Sequence, residues 1–118
     1  VLEKKAGLNL GNQDVYLNIV NGIKVNEPAI DLGIMLAAAS SYKNIPISNK
    51  LVAIGEVGLT GEVRNVNLIE KRLKEAEKLG FTTCIIPESN KRYLKESFNL
   101  QIIGVKNINE AMKGAGIK

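Results

Sequence analysis

The sequence predicts an α/β fold, a mixed sheet with packed helices, and three observations carry that expectation. Apolar or alternating runs rich in β-branched residues are separated by stretches of helical period. Hydrophobic residues make up 45% of the 118, a share that supports a packed core rather than disorder. The elements run strand, helix, hairpin, helix, strand, helix, strand, helix, the alternation of a layered α/β domain. A chain of this length makes one domain, and with aromatics at 4% and no Trp its core must be aliphatic.

In order, "QDVYLNIVNG" (13–22) alternates and ends at a glycine turn, and "GIKV" (22–25) continues a hairpin. A helix over 27–42 follows. Asn26 is placed to cap it, Pro28 fits its first turn, and Asp31 sits near the positive end of its dipole. "KLVAIGEV" (50–57) reads as one strand, "GLTG" (58–61) as a turn, and "EVRNV" (62–66) as the return. "NLIEKRLKEAEKLG" (67–80) is an amphipathic helix with Ile69, Leu73 and Ala76 inward. Glu70 and Lys74 are spaced to pair on its wet side, and Gly80 suits its end. "TTCIIP" (82–87) is a buried strand, "ESNKRYLKES" (88–97) a helix and "LQIIGV" (100–105) a further strand. "NINEAMKG" (107–114) opens with a capping box formed by Asn107 and Glu110.

Composition excludes several chemistries. With no histidine, the chain cannot build a Ser-His-Asp triad, a Cys-His dyad or a His-ligated metal site. The single cysteine, Cys84, excludes an internal disulfide and a thiolate zinc site, and its apolar setting marks it as core. A lone buried thiol fits a reducing cytoplasm. No apolar run approaches the ~18 residues needed to span a bilayer, so no membrane partner is expected. The net charge of +4 permits contact with nucleic-acid phosphates without requiring it.

Two motifs invite chemical readings. "GEVGLTG" (55–61) sets three glycines at spacing three, but a phosphate-cradling loop needs a different glycine pattern, and a strand follows where such a loop needs a helix, so it reads as a hairpin. Ser40 stands near Lys43, yet a Ser-Lys dyad needs a desolvated amine, and Lys43 sits at a helix end. The basic residues are dispersed, which is the pattern of a solvated face. Their functional alternative is a patch that tracks phosphates. Arg72 borders the buried stripe, where its stem can lie on the core and its head reach a groove.

From Pro28 to Arg92 the chain resembles, without a gap, the proteolytic domain of Lon proteases. The stretches that carry this are "EPAIDLGIMLAA", "GEVGLTGEVRNV", "KEAEKLGFTTCIIP" and "PESNKR". The resemblance implies a Lon-proteolytic-domain-like fold, of the ribosomal protein S5 domain 2-like type. It also implies a Ser-Lys dyad, with the serine directly after the proline and the lysine on the helix after the hairpin. Here Ala29 falls at the nucleophile position and Arg72 at the base position, and Val66 and Asn67 replace the glycine pair before that helix. Alanine has no nucleophilic atom, and a guanidinium cannot act as a neutral base. Since Ala29→Ser and Arg72→Lys are close to isosteric, the restored dyad is expected to leave the fold intact.

Within that superfamily, "VLEKKAGLNLGNQDVYLNIVNG", "EPAIDLGIMLAAASS" and "AIGEVGLTGEVR" resemble the C-terminal domain of the RadA (Sms) family of bacterial DNA repair proteins over nearly the whole chain. Residues 1–118 are then one Lon-like domain, expected to be the C-terminal fragment of a longer chain. The resemblance implies a cytoplasmic, ATP-dependent DNA repair and recombination motor. No cofactor is expected in this segment; ATP, Mg and Zn belong to N-terminal parts. Implied partners are DNA, through weak phosphate contacts, and further copies in a ring, a hexamer. The residues expected at DNA are Arg64, Lys71 and Arg72. Two rivals stay open: a peptidase using another nucleophile such as Ser40 or Thr60, and a pure oligomerisation domain.

Overall fold

The computed structural model describes residues 28–117. The expected strand over 13–22, the continuation over 22–25 and the Asn26 cap lie outside them. A 3₁₀ turn, Pro28–Ile30, leads into α1 (Asp31–Lys43). Then come β1 (Leu51–Ala53), β2 (Glu56–Val57), β3 (Val63–Arg64), α2 (Ile69–Lys78), β4 (Thr83–Pro87), α3 (Glu88–Lys91), β5 (Gln101–Val105) and α4 (Ile108–Gly114). Strands β1, β4 and β5 form a parallel sheet in the order β1-β4-β5. Its register sets Val52 beside Cys84 and Cys84 beside Ile102. Strands β2 and β3 pair antiparallel in a ladder of their own. The α/β expectation holds; among the described residues the mixture lies in two ladders instead of one sheet.

The run 50–57 is two strands because the chain leaves the sheet at Gly55. The Ile54 amide still donates to the Ile85 carbonyl at 2.8 Å. One residue later the Gly55 amide turns to the Ala29 carbonyl, and the Gly55 carbonyl accepts the Leu32 amide, each at 2.9 Å. A Cβ on Gly55 would stand 3.0 Å from Val63 Cγ1 and 3.2 Å from Leu32 Cδ2, so these side chains pack against the chain here because Gly55 has none. Asp31 completes the junction by accepting the Val57 amide at 3.3 Å.

Both sheet faces are covered, which is why β4 reads as a continuous apolar run. On one side Val52, Ile54, Cys84 and Ile86 meet Leu73 and Ala76 of α2, together with Ala29. On the other, Ala53, Ile85 and Val105 meet Leu32 and Leu36 of α1 and Ala111 of α4. The inner stripe of α2 contains Leu73 and Ala76 as read, with Ile69 half-buried. Helix α1 is not sealed all round: Ile34, Met35 and Tyr42 are exposed on one side.

Two local expectations need correction. The helix expected over 88–97 stops at Lys91, because α2 captures the backbone beyond it. Glu70 accepts the Lys95 amide at 2.8 Å and Glu77 accepts the Asn99 amide, drawing this segment along α2. Lys74 therefore reaches Glu96 at 3.0 Å, across to that segment, in place of the expected pair with Glu70. The capping box of α4 is half formed. Asn107 Oδ1 accepts the Glu110 amide at 2.9 Å, whereas Glu110 reaches back to the Lys106 amide.

The Asn107 cap is the sole side-chain cap recorded on the α-helices among the described residues. Asn107→Ala should lower unfolding stability by about 1 kcal/mol, seen as a lower urea midpoint at unchanged m-value.

Candidate functional site

The position where the Lon resemblance requires a lysine lies at the start of α2. Helix α2 begins after Leu68, which adopts a left-handed conformation (φ 57°, ψ 35°) and offers no side-chain cap. Such a backbone costs a bulky residue energy, so its surroundings must hold it. Arg72, one turn on, does so: Nε donates to the Asn67 carbonyl and Nη2 to Asn67 Oδ1, both at 2.9 Å. Its own amide donates to the Leu68 carbonyl at 3.0 Å. One residue earlier, Asn90 takes Val66 in the same two-handed manner. Asn90 Oδ1 accepts the Val66 amide at 2.8 Å and Nδ2 donates to the Val66 carbonyl at 3.0 Å. Two planar forks thus hold the segment where the resemblance calls for a glycine pair.

Arg72 was expected at a DNA groove, and the structure corrects this. Its exposure is 0%, and the guanidinium is committed to Asn67 beneath the helix, where no phosphate can reach it. Ala29 is equally buried, in a core cluster with Val52, Ile54 and Leu73, and its carbonyl holds Gly55. Arg64 and Lys71 are exposed. Arg64 is also engaged: Nε and Nη2 donate to Glu62 Oε2 at 3.1 and 2.8 Å. Hydrogen bonds from Thr60 and then from Arg64 pull the Glu62 carboxyl down to about 2. The turn "GLTG" is thereby tied to the strand that leaves it, as a hairpin and not as a phosphate loop.

Other sequence candidates fall to structural roles. Ser40 is buried and donates to the Ile45 carbonyl, closing the end of α1, where Asn44 turns left-handed at φ 58°. Lys43 is exposed, so its amine is not desolvated as a dyad would demand. Cys84 is wholly buried, and that burial pushes its thiol far up, away from the reactive thiolate.

What sequence reasoning missed gathers around α3. A groove of about 440 Å³ runs from Leu68 and Lys71 to Tyr93 and Lys95. A second, of about 220 Å³, is bordered by Arg92 and Lys106. Ser89 lines both, so they adjoin. The signal was present in "NKRYLK" (90–95), where an aromatic residue is interleaved with basic ones.

The arrangement defines an α/β domain in which Ala29 and Arg72 are buried and whose grooves are rimmed by basic side chains. The chain belongs to the family whose model is described as subunit ChlI of Mg-chelatase, matched over residues 2–90. It is also similar to proteins named DNA repair protein RadA. The one from Streptococcus pneumoniae (strain ATCC BAA-255 / R6) is 50% identical over 113 residues, 96% of this chain and 27% of that protein. The one from Bacillus subtilis (strain 168) is 50% identical over 96% of this chain and 25% of that protein. The one from Listeria monocytogenes serovar 1/2a (strain ATCC BAA-679 / EGD-e) is 48% identical over 98% of this chain and 25% of that protein. The chain spans about a quarter of the length of these relatives. No helix among the described residues is long and apolar enough to cross a membrane.

The Arg72 clamp predicts, against the expectation of an intact fold, that a restored dyad costs stability. Lysine cannot present two donors in one plane, so Arg72→Lys leaves part of Asn67 unsatisfied and buries an ammonium in poor geometry. Chemical denaturation should show Arg72→Lys destabilised by about 2–4 kcal/mol. A loss below the ~0.5 kcal/mol typical of surface substitutions would show that the clamp is dispensable.

Proposed function

We propose that the chain is a non-proteolytic, Lon-like, DNA-contacting module of a longer ATP-dependent DNA repair protein that acts in the cytoplasm. The observation that carries the loss of peptidase chemistry is Arg72, buried and doubly bonded to Asn67 where a neutral lysine would have to stand. The DNA side is supported by the relatives. The reading follows them in preference to the chelatase title because they match 96% of this chain at half its positions.

In this reading the basic groups around α3 neutralise phosphates, positioning the protein without reading bases. Lys71, Lys95, Arg92 and Lys106 rim the two adjoining grooves. Arg64 must exchange Glu62 for phosphate, so it adds less than a lysine with an open amine. The module assembles as a ring, a hexamer, and ATP, Mg and Zn are held by other parts of the longer protein. A ring multiplies weak contacts through effective concentration. One observation favours assembly alone: the exposed Ile34, Met35 and Tyr42 on α1 are an apolar face suited to a neighbouring subunit.

Incubated with an unfolded protein, the chain should release no fragments, and Ala29→Ser with Arg72→Lys should not create activity, since both positions are buried. Reproducible cleavage abolished by substituting one Ser or Thr would overturn the non-proteolytic reading. DNA contact is tested by salt titration against fluorescent single- and double-stranded DNA, with the chain alone and in its assembled form. Each phosphate contact should add about −0.9 to the slope of log K against log salt on duplex DNA. Replacing Lys71, Arg92 and Lys106 by Gln should flatten that slope by about 3 units and weaken all sequences alike. Parent and variant binding equally at every salt concentration would leave assembly as the function.

A further inference from the structure

The larger groove combines features that phosphate contact alone does not use. Tyr93 stands on its wall with 72% of its surface exposed, and Leu68 beside it is 53% exposed. Lys71 and Lys95 rim it. The first residues of helix α2, which has no side-chain cap, are part of its lining. The one carboxylate in the lining, Glu70, is turned onto the Lys95 amide; that bond, the largest of several, holds it below the usual carboxylate range. The Asn90 amide is spent on Val66, so it offers no edge for base discrimination.

An exposed ring, an exposed aliphatic side chain and two lysines in the lining of one groove suit a ligand with an apolar face and negative charge close together. Single-stranded DNA has both: a π-face on each base and a phosphate on each side of it. A duplex hides its base faces in the stack and offers Tyr93 nothing. The volume of about 440 Å³ lies within the range of roughly 300–1,000 Å³ of small-ligand clefts.

We propose that this groove receives one unstacked base of single-stranded DNA on the ring of Tyr93, with the flanking phosphates at Lys71 and Lys95. The inference rests on the DNA-contacting reading and deepens it. Stacking is tolerant of base identity, so the site selects strandedness and not sequence.

The test compares a labelled oligothymidylate with an abasic oligomer of equal length and charge, using the full chain. The parent should bind the thymidylate about ten-fold more tightly than the abasic strand. Tyr93→Ala should abolish that ratio while leaving abasic affinity unchanged, and Tyr93→Phe should preserve it. Lys71→Gln with Lys95→Gln should weaken both oligomers alike and keep the ratio. Because Tyr93 is exposed, its variants should melt as the parent does. Equal, salt-sensitive binding of both oligomers by the parent would overturn the stacking site while leaving DNA contact standing. Retention of the ratio in Tyr93→Ala would place the stack elsewhere and overturn it as well. Failure to bind either oligomer or the matching duplex would overturn both readings.

Discussion

The buried guanidinium of Arg72 is the constraint on which the rest of this domain depends. It is a permanent charge removed from water, and such a charge is tolerated only when its donors are well matched. Asn67 supplies a backbone carbonyl and a side-chain oxygen at equal distance, and the planar fork donates to both. In return the left-handed turn at Leu68 is held, α2 begins in the right place, and Leu73 and Ala76 meet the sheet. Asn90 repeats the device one residue earlier, from the α3 side. The start of α2 is therefore fixed by side chains in fixed geometry, where a pair of glycines would supply only freedom.

This also accounts for the two dyad positions together. Arginine at position 72 is compatible with the fold because it works inward, and the alanine at position 29 is compatible because that site is core. Neither residue has a reason to face solvent. The lysines and arginines rimming the grooves beside α3 have their charges in water, where they cost little to maintain.

Much of the fold was legible in the sequence where local pattern and tertiary context agree. The run "TTCIIP" is β4, Cys84 is core, Asn107 caps α4, and Gly80 takes the positive φ expected after α2. The pattern failed where long-range hydrogen bonds decide the local state. The break at Gly55 depends on the Ala29 carbonyl, and the early end of α3 on Glu70 and Glu77, neither of which is a neighbour in sequence. Arg72 was misread for a related reason. Periodicity placed it at the edge of the buried stripe, but only the partner, Asn67, decides whether such a side chain turns out or in. The basic cluster near α3 was visible as "NKRYLK" but carried no indication of its grooves, which are made by packing.

The parallel sheet has a consequence for how the chain reaches this state. Leu51 must find Thr83, and Thr83 must find Gln101, each across an intervening helix, so neither contact can be made by a local turn. Among the described residues the one local ladder, β2 with β3, lies outside that sheet. Chain entropy is thus spent before most of the sheet's contacts return anything, a topology that slows folding. Until β1, β4 and β5 have paired, their backbone edges stand open to other molecules, so crowded synthesis exposes the chain to mispairing before the sheet is complete.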